Sequence, residues 1–125
     1  MKVGDADFDE AVEAVLGILR EVAAHGENDR DGRITYMQLS ERLQAERGIS
    51  VPYYQGPLPH ILGEASKREH ESGRGMISVL VVEQDTLMPS SGFYRIARAE
   101  PFNRRGTDEQ IWLNESQRVR MEHLQ

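Results

Sequence analysis

Apolar residues near the start of the chain recur at spacings of three and four positions, with acidic residues between them. This spacing is typical of an amphipathic helix, because it places the apolar side chains on one stripe. The residues of the stripe are Phe8, Val12, Val15, Leu19 and Val22. The pattern predicts an N-terminal helix over residues 5–25. Inside it, Gly17 costs about 1 kcal/mol relative to alanine, which predicts close packing against another element there.

Two pairs of polar residues indicate where further helices begin. Thr35 and Gln38 have the three-residue spacing of a capping box, in which each side chain bonds the backbone N–H of the other residue. A second helix is therefore expected to begin at this point. Thr107 and Gln110 have the same spacing and predict a last helix over residues 107–124. The apolar residues of this last helix do not form one narrow stripe, so it either packs on two sides or contacts a partner.

A third helix is predicted from about Leu58 to Ser72, after a connector that contains three prolines. Its inward positions are Leu58, Ile61, Leu62 and Ala65. No apolar residue follows Ala65 in this helix, so its C-terminal half is expected to project into solvent. The outward face and its edges carry His60, Gly63, Glu64, Lys67, Arg68, His70, Glu71 and Arg74.

Residues 76–83 are apolar and β-branched, which predicts a central strand. Residues 85–92 contain a Pro-Ser-Ser-Gly turn, and residues 93–97 are expected to return as a short strand or a helical turn. These elements together predict one α+β domain over residues 1–125. It is mostly helical, with a small β-hairpin between the third and the last helix.

Composition and charge exclude several classes of function. The chain of 125 residues has no cysteine, which excludes disulfides, thiolate nucleophiles and cysteine-ligated metals. No nucleophile elbow, phosphate-binding glycine loop or acidic pair stands out, so we expect a non-enzymatic protein without a cofactor. No segment is typical of a signal peptide or a membrane span, which predicts a cytoplasmic protein without membrane contact. The net charge of −6, concentrated at the two ends, argues against a protein that coats nucleic acid by bulk electrostatics.

Residues 27–38 resemble an EF-hand calcium loop between two helices. Asp29 and Asp31 match the pattern, but Glu27 takes the place of the first aspartate and Gln38 that of the final glutamate. A neutral amide does not give the charged, two-oxygen grip of glutamate, so calcium affinity should be poor. The alternative interpretation is an acidic turn that precedes a capped helix.

A second candidate for metal binding lies on the third helix. His60 and Glu64 are one helical turn apart and could share an ion, with His70 further along the same face. No third ligand lies at a matching spacing. An exposed helix face with salt bridges is the commoner explanation of such residues, so no metal site is assigned.

The order of the elements predicts a function other than metal binding. The order is a capped helix, a proline-rich connector, a helix with a polar outer face, and a strand that turns and returns. A winged helix-turn-helix protein has the same order of elements. In such a protein the third helix would read the DNA and the hairpin would be the wing. This core would span residues 34–97, with the helices over residues 5–25 and 107–124 added at its two ends.

A resemblance to known proteins covers the same span. The residues that carry it are Ile34, Thr35, Tyr36, Leu39, Gly63, the strand Val79–Val82 and the turn at Gly92 and Phe93. They resemble a family of small uncharacterised bacterial and mobile-element proteins, and are distantly similar to the winged-helix part of DNA alkyltransferases and alkyltransferase-like proteins. The resemblance implies that fold and a surface that faces DNA. The reactive cysteine of the alkyltransferases is absent, which excludes alkyl transfer, and their Gly-Glu pair after the tyrosine is replaced by Met37 and Gln38.

Two functions remain open at this point. As a DNA-binding protein, the chain would contact double-stranded DNA through basic residues of the third helix and the wing. The phosphate contacts would be Lys67, Arg68, Arg74, Arg95 and Arg98, with His60, Glu64 and His70 facing base edges. As an acidic interaction module, for example a regulator or inhibitor from a mobile element, it would bind another protein through its first or last helix.

Overall fold

The computed structural model describes residues 6–25, 32–53 and 57–123, and helices account for most of them. The helices are α1 (Ala6–His25), α2 (Tyr36–Arg47), α3 (Leu58–Glu71), α4 (Ser91–Arg98) and α5 (Asp108–His123). Two short strands, β1 (Ile34–Thr35) and β2 (Val81–Val82), pair in parallel, with Ile34 opposite Val81 and Thr35 opposite Val82. A mostly helical α+β arrangement is therefore confirmed for the described residues.

The core is built around α1, which packs against α2, α3 and α5. Every residue of the predicted apolar stripe on α1 is buried, so the periodicity identified the inward face correctly. Gly17 lies where α1 meets the end of α2. A Cβ atom at this position would lie 3.0 Å from Nη2 of Arg47, which confirms the predicted close approach.

Both predicted capping boxes are present. Oγ1 of Thr35 accepts from the N–H of Gln38 at 3.1 Å, and Oε1 of Gln38 accepts from the N–H of Thr35 at 3.0 Å. Thr107 and Gln110 make the same pair of bonds at the start of α5, at 3.2 and 2.9 Å. The outer bounds predicted for the end helices, residues 5 and 124, lie outside the described residues.

The predicted β-hairpin was wrong. Residues 77–80 form a 3-10 helix, and only Val81 and Val82 of the predicted strand are strand. Residues 91–98 form α4, which agrees with the helical alternative for residues 93–97 and not with a returning strand. All of the residues 76–82 are buried, and a short apolar run of this kind does not distinguish a strand from a buried helical turn. The partner of β2 is β1, which precedes it by two helices, as a parallel pair requires a long crossover.

The expectation that the C-terminal half of α3 projects into solvent was also wrong. Ser66 and Glu69 lie on its inner face and are fully buried. The hydroxyl of Ser66 donates to Oγ of Ser78 at 2.6 Å and accepts from the N–H of Ser78 at 3.0 Å. Polar groups enter a core when their hydrogen bonds are satisfied there, so the absence of apolar residues did not mark an exposed segment.

Glu69 is the centre of a buried ion network. Its carboxylate side chain is 0% exposed and is contacted by Arg20 of α1 at 3.0 Å and by Arg74, which follows α3. Burial alone would raise the pKa of Glu69, but the hydrogen bonds from Arg74 and Arg20 outweigh it and lower the pKa below its ordinary value. The network links the end of α3 to α1.

A second buried carboxylate, Glu115 on α5, holds the segment that follows α3. It accepts from the N–H of Met76 at 3.0 Å and from Arg104. Glu122, two helical turns further along α5, accepts from the N–H of Gly75 at 2.8 Å. Two carboxylates of the last helix therefore satisfy consecutive backbone donors of the connection between α3 and the 3-10 helix.

The depressed pKa of Glu69 predicts a loss of stability in acid. A carboxylate whose pKa is lower in the folded chain stabilises it above the unfolded pKa, and this contribution is lost as the pH falls through the folded pKa. We therefore expect the urea midpoint of the protein to fall below about pH 4.5, and to fall less steeply for Glu69→Gln. Glu46→Gln is the matched control, because the pKa of Glu46 is also lowered by an arginine but its carboxylate lies on the surface. An identical pH profile for Glu69→Gln and the unchanged protein would contradict the prediction.

Candidate functional site

Arg68, a predicted phosphate contact, is engaged within the molecule. Its guanidinium donates to Asp9 and Glu13 of α1, each at 2.8 Å, and to Glu64 on its own helix at 3.4 Å. Burial lowers the pKa of Arg68, but these three carboxylates outweigh it and raise the pKa above its ordinary value. A phosphate would have to displace carboxylates that already surround the cation.

Two further predicted contacts, Arg74 and Arg98, also have partners. Arg74 pairs with the buried Glu69. Arg98 contacts Asp108 at the start of α5 at 2.7 Å and donates to the carbonyl oxygen of Gly106 at 3.0 Å. Three of the five arginines and lysines expected to contact phosphate are therefore neutralised by neighbouring carboxylates.

The remaining basic residues lie together at the outer edge between α3 and α4. His60, Lys67 and Arg95 are exposed, and within residues 6–25, 32–53 and 57–123 none of them forms an ion pair. Gly63 lies between His60 and Lys67 on the same face of α3, and a Cβ atom there would lie 3.7 Å from Cδ1 of Ile96. The helices therefore meet beside these side chains. We refer to His60, Lys67 and Arg95 as the α3–α4 ridge.

The sequence suggested two metal sites, and neither is assembled by the described residues. The ring of His70 packs edge-on against Phe102, with centroids 5.1 Å apart, and Glu64 is occupied by Arg68. Among the residues that the structure describes, no three histidine, aspartate or glutamate side chains are grouped to hold an ion. Five of the twelve residues of the predicted calcium loop, residues 27–31, lie outside the described part of the chain.

A cleft of about 360 Å³ opens beside the ridge, between the start of α2 and the loop that follows β2. Tyr36 and Tyr53 line it together with the apolar side chains of Met37, Pro59 and Val82. We call it the tyrosine cleft. Polar groups also line it, contributed by Thr35, Glu83, Gln84, Asp85 and Ser90.

Local structure fixes the positions of the cleft residues. Tyr36 is the first residue of α2, and its hydroxyl donates to Oγ of Ser90 at 3.0 Å, which ties α2 to the start of α4. Glu83 begins a tight turn, in which its N–H donates to the carbonyl of Met88 and its carbonyl accepts from the N–H of Leu87. This turn holds Glu83 beside the cleft.

A smaller cavity of about 80 Å³ lies between α3 and α4 and shares part of the same wall. Tyr36, Pro59 and Ser90 line both spaces, while Gly63 and Arg95 line only the smaller one. The basic ridge and the acidic cleft therefore meet along a common wall. Sequence patterns did not reveal the cleft. Thr35, Tyr36 and Val82 carried signals through the capping box or the family resemblance, but nothing in the sequence indicated that they lie beside Tyr53 and Glu83.

Comparison of the chain with models of protein families found no match, and searches of curated proteins and of solved structures found none either. The relationship to winged-helix proteins therefore remains a hypothesis that rests on the residues that suggested it. Among the described helices, none is long and apolar enough to cross a membrane.

Proposed function

We propose that the protein is a non-enzymatic DNA-binding protein that contacts the phosphate backbone of a duplex through the α3–α4 ridge. The observation that supports the proposal is the exposure of His60, Lys67 and Arg95 on two adjoining helices, without an ion pair in the described part of the chain. Lysine and arginine side chains without such partners can bind phosphate at no cost in lost salt bridges. The resemblance to winged-helix proteins supports the same surface.

Within this proposal, α3 takes the place of the reading helix, and the loop over residues 83–90 takes the place of the wing in chain order without contacting phosphate. The arrangement departs from a simple helix-turn-helix in its connection. Ten residues, 48–57, separate α2 from α3, whereas the usual turn has about three or four. Both helices pack on α1, so the reading helix would be positioned by α1 more than by α2.

The net charge of the chain limits the strength of its binding to duplex DNA. The chain has a net charge of −6, so only the local field of the ridge attracts the duplex. With two or three phosphates neutralised, the logarithm of the binding constant should fall with the logarithm of salt concentration at a slope of about −2 to −3. The five cations predicted from sequence would give a slope of about −4 to −5.

The proposal predicts that Arg95→Glu weakens binding to mixed duplex DNA about tenfold or more at low salt, since a phosphate contact becomes a repulsion. Fluorescence anisotropy across a salt series measures both the affinity and the slope. Arg47→Glu is the matched control, because Arg47 is also an exposed arginine near the end of a helix and its reversal changes the net charge equally. No binding at low salt, or an equal loss for Arg47→Glu, would overturn the proposal.

A second candidate function is an interaction module that binds another protein through α5. Leu113 and Met121 are 47% and 75% exposed and lie eight residues apart, on the same side of the helix. On α1, by contrast, Asp9 and Glu13 already bind Arg68. Of the two helices considered from the sequence, α5 therefore offers the better contact surface. Absence of DNA binding at low salt would favour this candidate.

A further inference from the structure

The walls of the tyrosine cleft suit a long side chain with a polar end. Met37, Pro59 and Val82 provide apolar contacts for methylene groups, and Tyr36 and Tyr53 provide aromatic rings. A volume of about 360 Å³ lies at the small end of the range for ligand pockets. Arginine combines an apolar stem with a planar guanidinium that stacks on aromatic faces.

The charges that line the cleft indicate that the polar end of the bound side chain is positively charged. Glu83 and Asp85 both line it, and neither forms an ion pair within the described part of the chain. Several carboxylates elsewhere on the described surface pair with arginine, as Glu46 does with Arg42 and Asp108 with Arg98. The cleft therefore presents negative charge that the protein itself does not compensate.

We propose that the tyrosine cleft binds an arginine side chain of a protein partner, with the guanidinium facing Glu83 and Asp85 and the stem against the apolar wall. A carboxylate and a guanidinium form charge-assisted and often bidentate hydrogen bonds, which are stronger than bonds between neutral groups. The same carboxylates repel phosphate, so the backbone of a nucleic acid is excluded from the cleft. The site is separate from the ridge and does not depend on DNA binding.

The test is a titration of the full chain with N-acetyl-arginine amide, followed by ¹H–¹⁵N NMR. We expect saturable shifts confined to the cleft, with backbone signals of Met37, Gln84 and Asp85 among the largest. The uncharged isostere N-acetyl-citrulline amide should bind about tenfold more weakly, the effect expected for loss of one charge-assisted bond. Glu83→Gln combined with Asp85→Asn should weaken arginine binding by at least the same factor.

Matched controls separate the local effect from that of net charge. Glu71→Gln combined with Glu109→Gln removes the same number of charges from exposed positions outside the cleft and should leave the affinity unchanged. Amide dispersion in the spectra shows directly that each variant is folded. Absence of saturable cleft shifts, equal binding of the citrulline amide, or equal weakening by the control pair would overturn the proposal. Saturation of the same signals by adenosine but not by the arginine amide would also overturn it, in favour of a nucleobase site.

Discussion

Replacing Arg20 and Arg74 together by methionine is expected to lower the free energy of unfolding by about 3–5 kcal/mol. The two changes leave the carboxylate of Glu69, which is 0% exposed, without either of its ion partners. Methionine keeps most of the apolar stem of arginine, so the loss in the free energy of unfolding is caused mainly by the unpaired buried charge. Urea unfolding followed by circular dichroism at about pH 7 measures the change.

The pH dependence of the free energy of unfolding tests this prediction in a second and more specific way. Without its arginines, burial should raise the pKa of Glu69 above the unfolded value, so the variant should become relatively more stable as the pH falls. The unchanged protein should show the opposite trend. Adding Glu69→Leu to the two methionines removes the buried charge and should recover most of the loss. A loss below about 1 kcal/mol, or no recovery, would show that the network does not stabilise the fold.

The burial of these carboxylates is a feature that the sequence did not predict. The stripe on α1 and the capping boxes at Thr35 and Thr107 were recognisable because spacing alone determines them. Glu69 and Glu115 look in the sequence like ordinary solvated helix residues. Their burial depends on arginines that are 49 and 11 residues away along the chain, and local patterns carry no information about such contacts.

The error in the hairpin has a related cause. The run over residues 76–83 has strand-like composition, and only Val81 and Val82 find a strand to pair with. The backbone donors of Gly75 and Met76, just before the 3-10 helix, are taken up by Glu122 and Glu115 of α5. Tertiary hydrogen bonds therefore replaced the ladder bonds that a longer strand would have made.

The candidate site was only partly accessible to sequence reasoning for the same reason. The outward face of α3 was predicted from its period, and His60 and Lys67 are indeed exposed. The period does not reveal which cations have partners, and Arg68 is surrounded by carboxylates of α1 that precede it by more than 50 residues. The tyrosine cleft combines side chains from five separate stretches of the chain, so it appeared only in the folded chain.

The second large effect is expected at Glu115, where Glu115→Ala should lower the free energy of unfolding by about 3–5 kcal/mol. The residue is 4% exposed, and its removal leaves the N–H of Met76 and the Nε–H of Arg104 without their acceptor. Both donors are buried or partly buried, so water does not fully replace the carboxylate. Chemical unfolding of the variant measures the loss.

Glu109→Ala is the control on the same helix, because Glu109 is exposed in the first turn of α5 and its loss should cost less than about 1 kcal/mol. The Glu115→Ala effect should extend to the 3-10 helix, since Met76 is the residue from which that helix begins. Hydrogen exchange at residues 76–80 should therefore accelerate more in this variant than exchange at the centre of α2. Uniform acceleration across the chain would show instead that Glu115 contributes only to global stability. A local increase would mean that α5 holds in place the segment that carries Ser78 into the cavity between α3 and α4.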